Sequence, residues 1–102
     1  MIHVLAIITA KPGQRDKVLE IFRANVPAVL AEKGCVEYGA TVDADGIGPV
    51  QTKLGPDTFV VVEKWESAAD LKAHGASAHM AAYAAKTKEM LASRVIHVLS
   101  PV

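Results

Sequence analysis

The stretch IHVLAIITA, residues 2–10, decides the fold of this chain. It is rich in β-branched residues and runs into Lys-Pro-Gly at 11–13, so it predicts a first strand closed by a turn. The two faces of this strand carry nearly equal apolar sets, namely Ile2, Val4, Ala6 and Ile8 on one and His3, Leu5, Ile7 and Thr9 on the other. A strand with one face in water usually alternates between apolar and polar residues, so we expect both faces of this strand to be covered.

Hydrophobic spacing predicts the remaining elements outward from this strand. They are a helix over 15–32, strands over 35–44 and 57–66, a helix begun at 68–73 and resumed over 77–92 after a break near Gly75, and a last strand over 94–100. Gly34 is expected to end the first helix, and Pro27 to kink or break it. The order β-α-β-β-α-β predicts a ferredoxin-like α+β fold (a split βαβ), in which both helices pack on one face of an antiparallel sheet.

The other face of that sheet has no cover of its own. A single domain over residues 1–102 has little chain to spare, and monomers rarely expose a large apolar patch. We therefore expect a homodimer in which a second copy covers the bare face.

Composition argues against several classes of protein. Eleven Lys and Arg balance eleven Asp and Glu, so the basic excess of a nucleic-acid-binding protein is absent. Cys35 is the only cysteine, so it cannot form a disulfide within the chain or a multi-cysteine metal site. No apolar run approaches the ~18 residues of a membrane span, and the N-terminal residues lack the pattern of a secretory signal. We expect a cytoplasmic protein that binds neither nucleic acid nor membranes.

Histidines and acidic residues give few signals of a bound cofactor. His74 and His79 are five residues apart, roughly 140° around a regular helix, so we expect that they cannot meet at one point. No pair of histidines has the i, i+4 spacing of a zinc site, and no glycine-rich loop precedes a helix that could hold a phosphate. The sequence thus predicts no metal and no nucleotide cofactor.

Glu63 and Trp65 lie on the same face of the predicted third strand. The structural interpretation is that Trp65 anchors the core and Glu63 forms an ion pair; the functional interpretation is that both belong to a pocket wall. His74 lies close after this strand and beside Gly75, so a turn there could direct its imidazole between sheet and helices. Its ordinary pKa near 6.5 would suit proton transfer at neutral pH.

The stretches VVEKWES at 61–67 and ADLKAHGASAHM at 69–80 together resemble the E-x-W and H-x-x-S-x-H signature of the antibiotic biosynthesis monooxygenase (ABM) family. GCVEY at 34–38 and FRAN at 22–25 also fit, and the resemblance covers essentially the whole chain. It is closest to the family's small quinol monooxygenases. It implies a dimeric ferredoxin-like α+β barrel that oxidises a small aromatic quinol or polyphenol with molecular oxygen, without metal, flavin or haem.

The resemblance also implies roles for individual residues. The implied catalytic residues are His74, Trp65 and Asn25, and the implied substrate-binding residues are Phe22, His79, Tyr83 and Glu63. Trp65 and Phe22 would flank the aromatic ring, and Asn25 would hydrogen-bond a substrate oxygen. We favour His74 as the proton acceptor in the pocket and expect His79 to fix the start of the following helix.

Two other activities remain open. The first strand has no Asn, which argues against the haem-degrading branch of the family, and Val26 follows Asn25 where autoinducer isomerases often have His. An isomerase or other proton-transfer enzyme acting on a small hydroxy-ketone is one alternative. A non-catalytic, ligand-binding dimeric module is the other, because a fold does not fix a chemistry.

Overall fold

The computed structural model describes residues 1–102. Its elements are β1 (Ile2–Ala10), α1 (Arg15–Leu30), β2 (Cys35–Thr41), β3 (Thr58–Trp65), α2 (Ala68–Gly75), α3 (Ala78–Thr87), a short 3₁₀ turn (Lys88–Met90) and β4 (Leu91–Leu99). The strands form one antiparallel sheet in the order β2-β3-β1-β4. This confirms the predicted ferredoxin-like α+β fold. No helix is both long enough and apolar enough to cross a membrane.

The first helix differs from the prediction at two positions. It continues through Pro27, which is exposed, so water can replace the backbone hydrogen bond that proline cannot make. It ends at Leu30, and Gly34 is not its cap. Gly34 has φ +78°, a Cβ there would overlap the side chain of Asp70, and its carbonyl accepts a hydrogen bond from the Glu66 amide at 2.8 Å. This glycine therefore serves the close approach of β2 to the start of α2.

The C-terminal helix is shorter than its sequence pattern predicts. The predicted break near Gly75 is confirmed, and Ser77 caps α3 by accepting a hydrogen bond from the Met80 amide. The helix ends at Thr87, and Leu91 already pairs with Ala10 of β1. The strand pairing draws 91–93 into the sheet, which overrides the helical spacing of the hydrophobic residues there.

The helices cover one face of the sheet, and the hydrophobic core lies between the two layers. The core residues are Val4, Ala6, Ile8, Ala10, Val18, Leu19, Phe22, Val29, Tyr38, Phe59, Val61 and Trp65. The opposite, bare face carries an apolar stripe made of Leu5, Ile7, Val60, Val62, Val95 and Leu99. Leu5, Val95 and Leu99 are 37, 47 and 45% exposed. The prediction of strands that are apolar on both faces is thus confirmed.

Candidate active site

A cavity of about 750 Å³ lies between the helix-covered face of the sheet and α2 and α3. Most of its walls are hydrophobic, and its size is within the range of small-molecule sites. Four of the residues predicted from the sequence line it: Phe22, Glu63, His74 and Tyr83. The cavity is therefore the candidate active site.

Trp65 packs behind the wall of the cavity and contacts two of the residues that line it. The alternation of β3 places Trp65 and Glu63 on the same face, as the sequence predicted, and this face is the one that the helices cover. Trp65 is fully buried, and its indole Nε1 donates a hydrogen bond to Glu63 Oε1 at 2.9 Å. Its ring stacks at a tilt against the imidazole of His74, with centroids 4.7 Å apart. Trp65 thus orients two cavity residues and is not itself among the residues that line the cavity, in contrast to the expected place beside a substrate ring.

Glu32 joins the two histidines of the signature. His74 Nδ1 lies 2.8 Å from Glu32 Oε2, and His79 Nε2 lies 2.9 Å from the same oxygen. The expectation that five-residue spacing prevents the imidazoles from meeting at one point is wrong, because the chain turns between α2 and α3 and the two residues are not on one regular helix.

The structure also forms a group of three possible metal ligands that the sequence motifs did not indicate. The donor atoms of Glu32, His74 and His79 all lie within 4.8 Å of one another. Glu32 is 42 residues from His74 in the sequence, so no local spacing could reveal the cluster.

Hydrogen bonding indicates which nitrogen of His74 faces the cavity. A neutral imidazole has one N–H donor and one acceptor, and Glu32 accepts the hydrogen bond from Nδ1. Nε2 is then the free acceptor, and it lies 4.0 Å from Glu63 Oε1. We assign this tautomer from the bonding partners.

Burial changes the acidity of the groups around the cavity. Burial raises the pKa of Glu63, although the hydrogen bond from Trp65 and the nearby His74 act in the opposite direction. Burial raises the pKa of Tyr83 to about 12, and burial together with the charge of Glu63 raises that of Tyr38. Both phenols therefore keep their protons at neutral pH and can donate hydrogen bonds to a ligand anion.

Asn25 and His79 lie outside the cavity. They line a groove of about 360 Å³ between α1 and α3, which also includes Tyr83. The Asn25 amide nitrogen lies 3.4 Å from Met80 Sδ, to which it donates. The structure therefore separates Asn25 from the cavity in which a substrate oxygen was expected to meet it.

Among the residues that were not chosen from the sequence, Glu32, Tyr38 and Arg94 add polar groups to the site. Tyr38 stacks on Phe22 at 5.2 Å and contacts His74 edge-on at 5.5 Å. It belongs to the GCVEY segment, so the resemblance could have suggested it. Arg94 on β4 brings a positive charge to the cavity wall, where the sequence pattern alone indicated only an apolar strand.

Comparisons with known proteins agree on one family. The family model described as "Antibiotic biosynthesis monooxygenase" matches residues 1–86. "Probable quinol monooxygenase YgiN" of Escherichia coli (strain K12) is 40% identical over 103 aligned residues, which cover 99% of this chain and 98% of that protein. Rv0793 from Mycobacterium tuberculosis has a TM-score of 0.80 at 26% identity, covering 99% of this chain and 94% of that one. PA3566 from Pseudomonas aeruginosa also has a TM-score of 0.80, at 25% identity, covering 99% and 93%.

Proposed function

Because the chain belongs to the antibiotic biosynthesis monooxygenase family, we propose that it is a monooxygenase that oxidises a small aromatic quinol or polyphenol with molecular oxygen. The observation that carries the proposal is an apolar cavity whose wall includes Glu63 and His74, which are held by hydrogen bonds to Trp65 and Glu32 behind that wall. The name of the relative YgiN supports a quinol as the substrate class.

In this proposal the cavity binds the aromatic rings and His74 accepts a phenol proton at Nε2. The imidazolium so formed is stabilised by the Glu32 carboxylate at Nδ1, 2.8 Å away. The hydroxyls of Tyr38 and Tyr83, which stay protonated, are available to stabilise the phenolate oxygen. Substrate binding in an apolar cavity also excludes water from the electron-rich ring.

The substrate is its own reductant in this proposal, and the chain needs no metal, flavin or haem. A quinol and one O₂ give a hydroxylated quinone and one water, so the substrate supplies all four electrons. One oxygen atom enters the ring and the other leaves as water, which keeps atoms and electrons in balance.

Oxygen uptake with a panel of reduced quinols and catechols, measured with a metal chelator present, tests this function. We expect one ¹⁸O atom from ¹⁸O₂ in each product molecule. Glu89→Gln is the control, because Glu89 is exposed in the 3₁₀ turn and lies outside both the cavity and the bare face of the sheet. Three results would refute the proposal. Oxygen uptake without label in the product would identify an oxidase, and oxygen-independent conversion of a hydroxy-ketone would identify an isomerase. Binding without turnover would identify a non-catalytic module.

We further propose that the chain acts as a single domain within a homodimer. Support comes from the apolar stripe on the bare face of the sheet, where Leu5, Val95 and Leu99 are between 37 and 47% exposed. Burial of apolar surface contributes about 25 cal/mol per Å², so a second copy packed on this face would be stabilised chiefly by the hydrophobic effect.

A further inference from the structure

We propose that Glu32, His74 and His79 form a binding site for one divalent transition-metal ion of the zinc type. The three residues come from separate parts of the chain: Glu32 lies just after α1, His74 is in α2, and His79 is in α3. Their donor atoms lie within 4.8 Å of one another without any metal-binding motif in the sequence. The inference therefore depends on the fold and not on spacing.

The donor set selects the class of ion. Two imidazole nitrogens and one carboxylate oxygen are ligands that zinc accepts, with a fourth position left for water. Calcium and magnesium prefer sites made of oxygen atoms, so a site with two nitrogens disfavours both.

The distances require a small adjustment. Glu32 Oε2 lies 2.8 Å from His74 Nδ1 and 2.9 Å from His79 Nε2, which are hydrogen-bond lengths. Zinc binds such atoms at about 2.0–2.2 Å, so two ligands of a tetrahedral ion lie roughly 3.4 Å apart. The carboxylate oxygen therefore has to retreat by about half an ångström from each nitrogen, which side-chain rotation can supply.

The protein buries most of two of the ligand side chains and leaves the third partly exposed to solvent. The His74 and Glu32 side chains are 6% and 14% exposed, and the Trp65 ring packs against His74. The His79 side chain is 31% exposed, which gives an ion and its water a path from solvent. Ser77 Oγ lies 3.3 Å from His79 Nε2 and donates to the His74 carbonyl at 2.7 Å, so it fixes the turn between the two histidines.

The carboxylate behind His74 completes the pattern of a metal-bound imidazole. A metal-ligating histidine usually directs its other N–H toward a carboxylate, a carbonyl or water. An ion on Nδ1 would place the proton of His74 on Nε2, and Glu63 Oε1 is 4.0 Å from that nitrogen. Glu63 would thus be the outer partner of the site.

The position of the ion also predicts its effect, and this consequence rests on the proposed function. The ion would lie on the Nδ1 edge of His74, whereas the cavity and Glu63 lie toward Nε2. It would have no contact with the substrate and would leave Nε2 protonated. Zinc is therefore expected to inhibit turnover, because His74 could no longer accept the phenol proton.

Calorimetric titration of the intact protein with zinc sulfate tests the site without any measurement of activity. We expect one ion per chain, and at least about 100-fold weaker affinity in Glu32→Gln or His79→Ala, since the loss of even an outer partner typically costs 10–100-fold. Glu89→Gln is the control and should bind as the unaltered protein does, because Glu89 is exposed in the 3₁₀ turn and is not one of the three proposed ligands. Circular dichroism of each variant establishes that it is folded, and His79→Gln replaces any His79→Ala protein that is not.

Cobalt(II) absorption identifies the ligands. Weak visible bands without a thiolate charge-transfer band are expected, whereas a thiolate band would place the ion at Cys35 and overturn the assignment. Absence of zinc binding, or binding that neither substitution weakens, would also overturn it. Zinc binding in a protein that consumes no oxygen would leave the site intact and refute only the proposed function.

Discussion

Replacing His74 by Asn and by Ala separates the observed hydrogen bond to Glu32 from the proposed role of His74 as proton acceptor. The Asn amide nitrogen can take the place of Nδ1 and still donate to Glu32 Oε2, which lies 2.8 Å from Nδ1, but Asn has no counterpart of Nε2. A hydrogen bond to a charged group contributes about 1.5–3 kcal/mol, and each aromatic contact about 0.5–1.5 kcal/mol. His74→Ala loses the hydrogen bond and the two contacts with Trp65 and Tyr38, so it should cost about 2.5–6 kcal/mol.

His74→Asn should be more stable than His74→Ala by about 1.5–3 kcal/mol, the contribution of the retained hydrogen bond. Both variants should turn over about 10²–10⁴-fold more slowly, because neither has a group that accepts a proton at the cavity. Urea unfolding measures the first quantity and oxygen uptake measures the second. Equal stability of the two variants would refute the role of the Glu32 bond, and unaltered turnover in His74→Asn would remove His74 from the chemistry.

Three further predictions concern other parts of the chain. Leu5→Glu should convert a dimer to monomers, as measured by light scattering after size exclusion. Ile96→Glu, on the opposite face of the sheet, should leave a dimer; a dimeric Leu5→Glu protein would contradict the proposed interface. Cys35→Ser should retain turnover, since burial and the charges of Glu32 and Glu63 raise the pKa of this thiol and keep it a poor nucleophile; loss of turnover in a folded variant would be the contrary result. Hydrogen bonds from the Leu54 and Gly55 amides lower the pKa of Asp43. The ionised Asp43 carboxylate therefore stabilises the loop fully above its ordinary pKa of 3.8, and this stabilisation is lost as the pH falls below that value. The protection factors of these two amides against hydrogen exchange should therefore fall in acid, and in Asp43→Asn at neutral pH; protection factors that neither change lowers would argue against the tether.

The fold was predictable because its signals are local. Neighbouring residues alone reveal the period of two in β1 and β3 and the helical spacing after Arg15. Both patterns are confirmed. Where the sequence misled, a distant partner decided the outcome. Leu91 joins β4 because Ala10 pairs with it, although the hydrophobic spacing before it is helical.

The candidate site was predictable only in part, for the same reason. Side chains alternate between the two faces of a strand, so the common face of Glu63 and Trp65 on β3 could be predicted without knowledge of any other element. Glu32, in contrast, lies in an unremarkable turn after α1, and only the packing of α2 and α3 against that turn brings it to two histidines. Asn25 lies only three residues from Phe22, yet positions three apart differ by roughly 60° around a helix, and its amide lies in a different groove.

The edge strand connects the fold to the proposed chemistry. Ile96 and Val98 face the cavity but are 48% and 56% exposed, because α3 does not extend over β4. A partner on the bare face of the sheet would leave these two side chains uncovered, since they point the other way. An aromatic substrate that covered about 150 Å² of such surface would gain roughly 4 kcal/mol at 25 cal/mol per Å². The apolar part of this wall is thus suited to recognising flat apolar rings by area, and in the proposed function His74 adds a dependence on a substrate hydroxyl that can lose its proton.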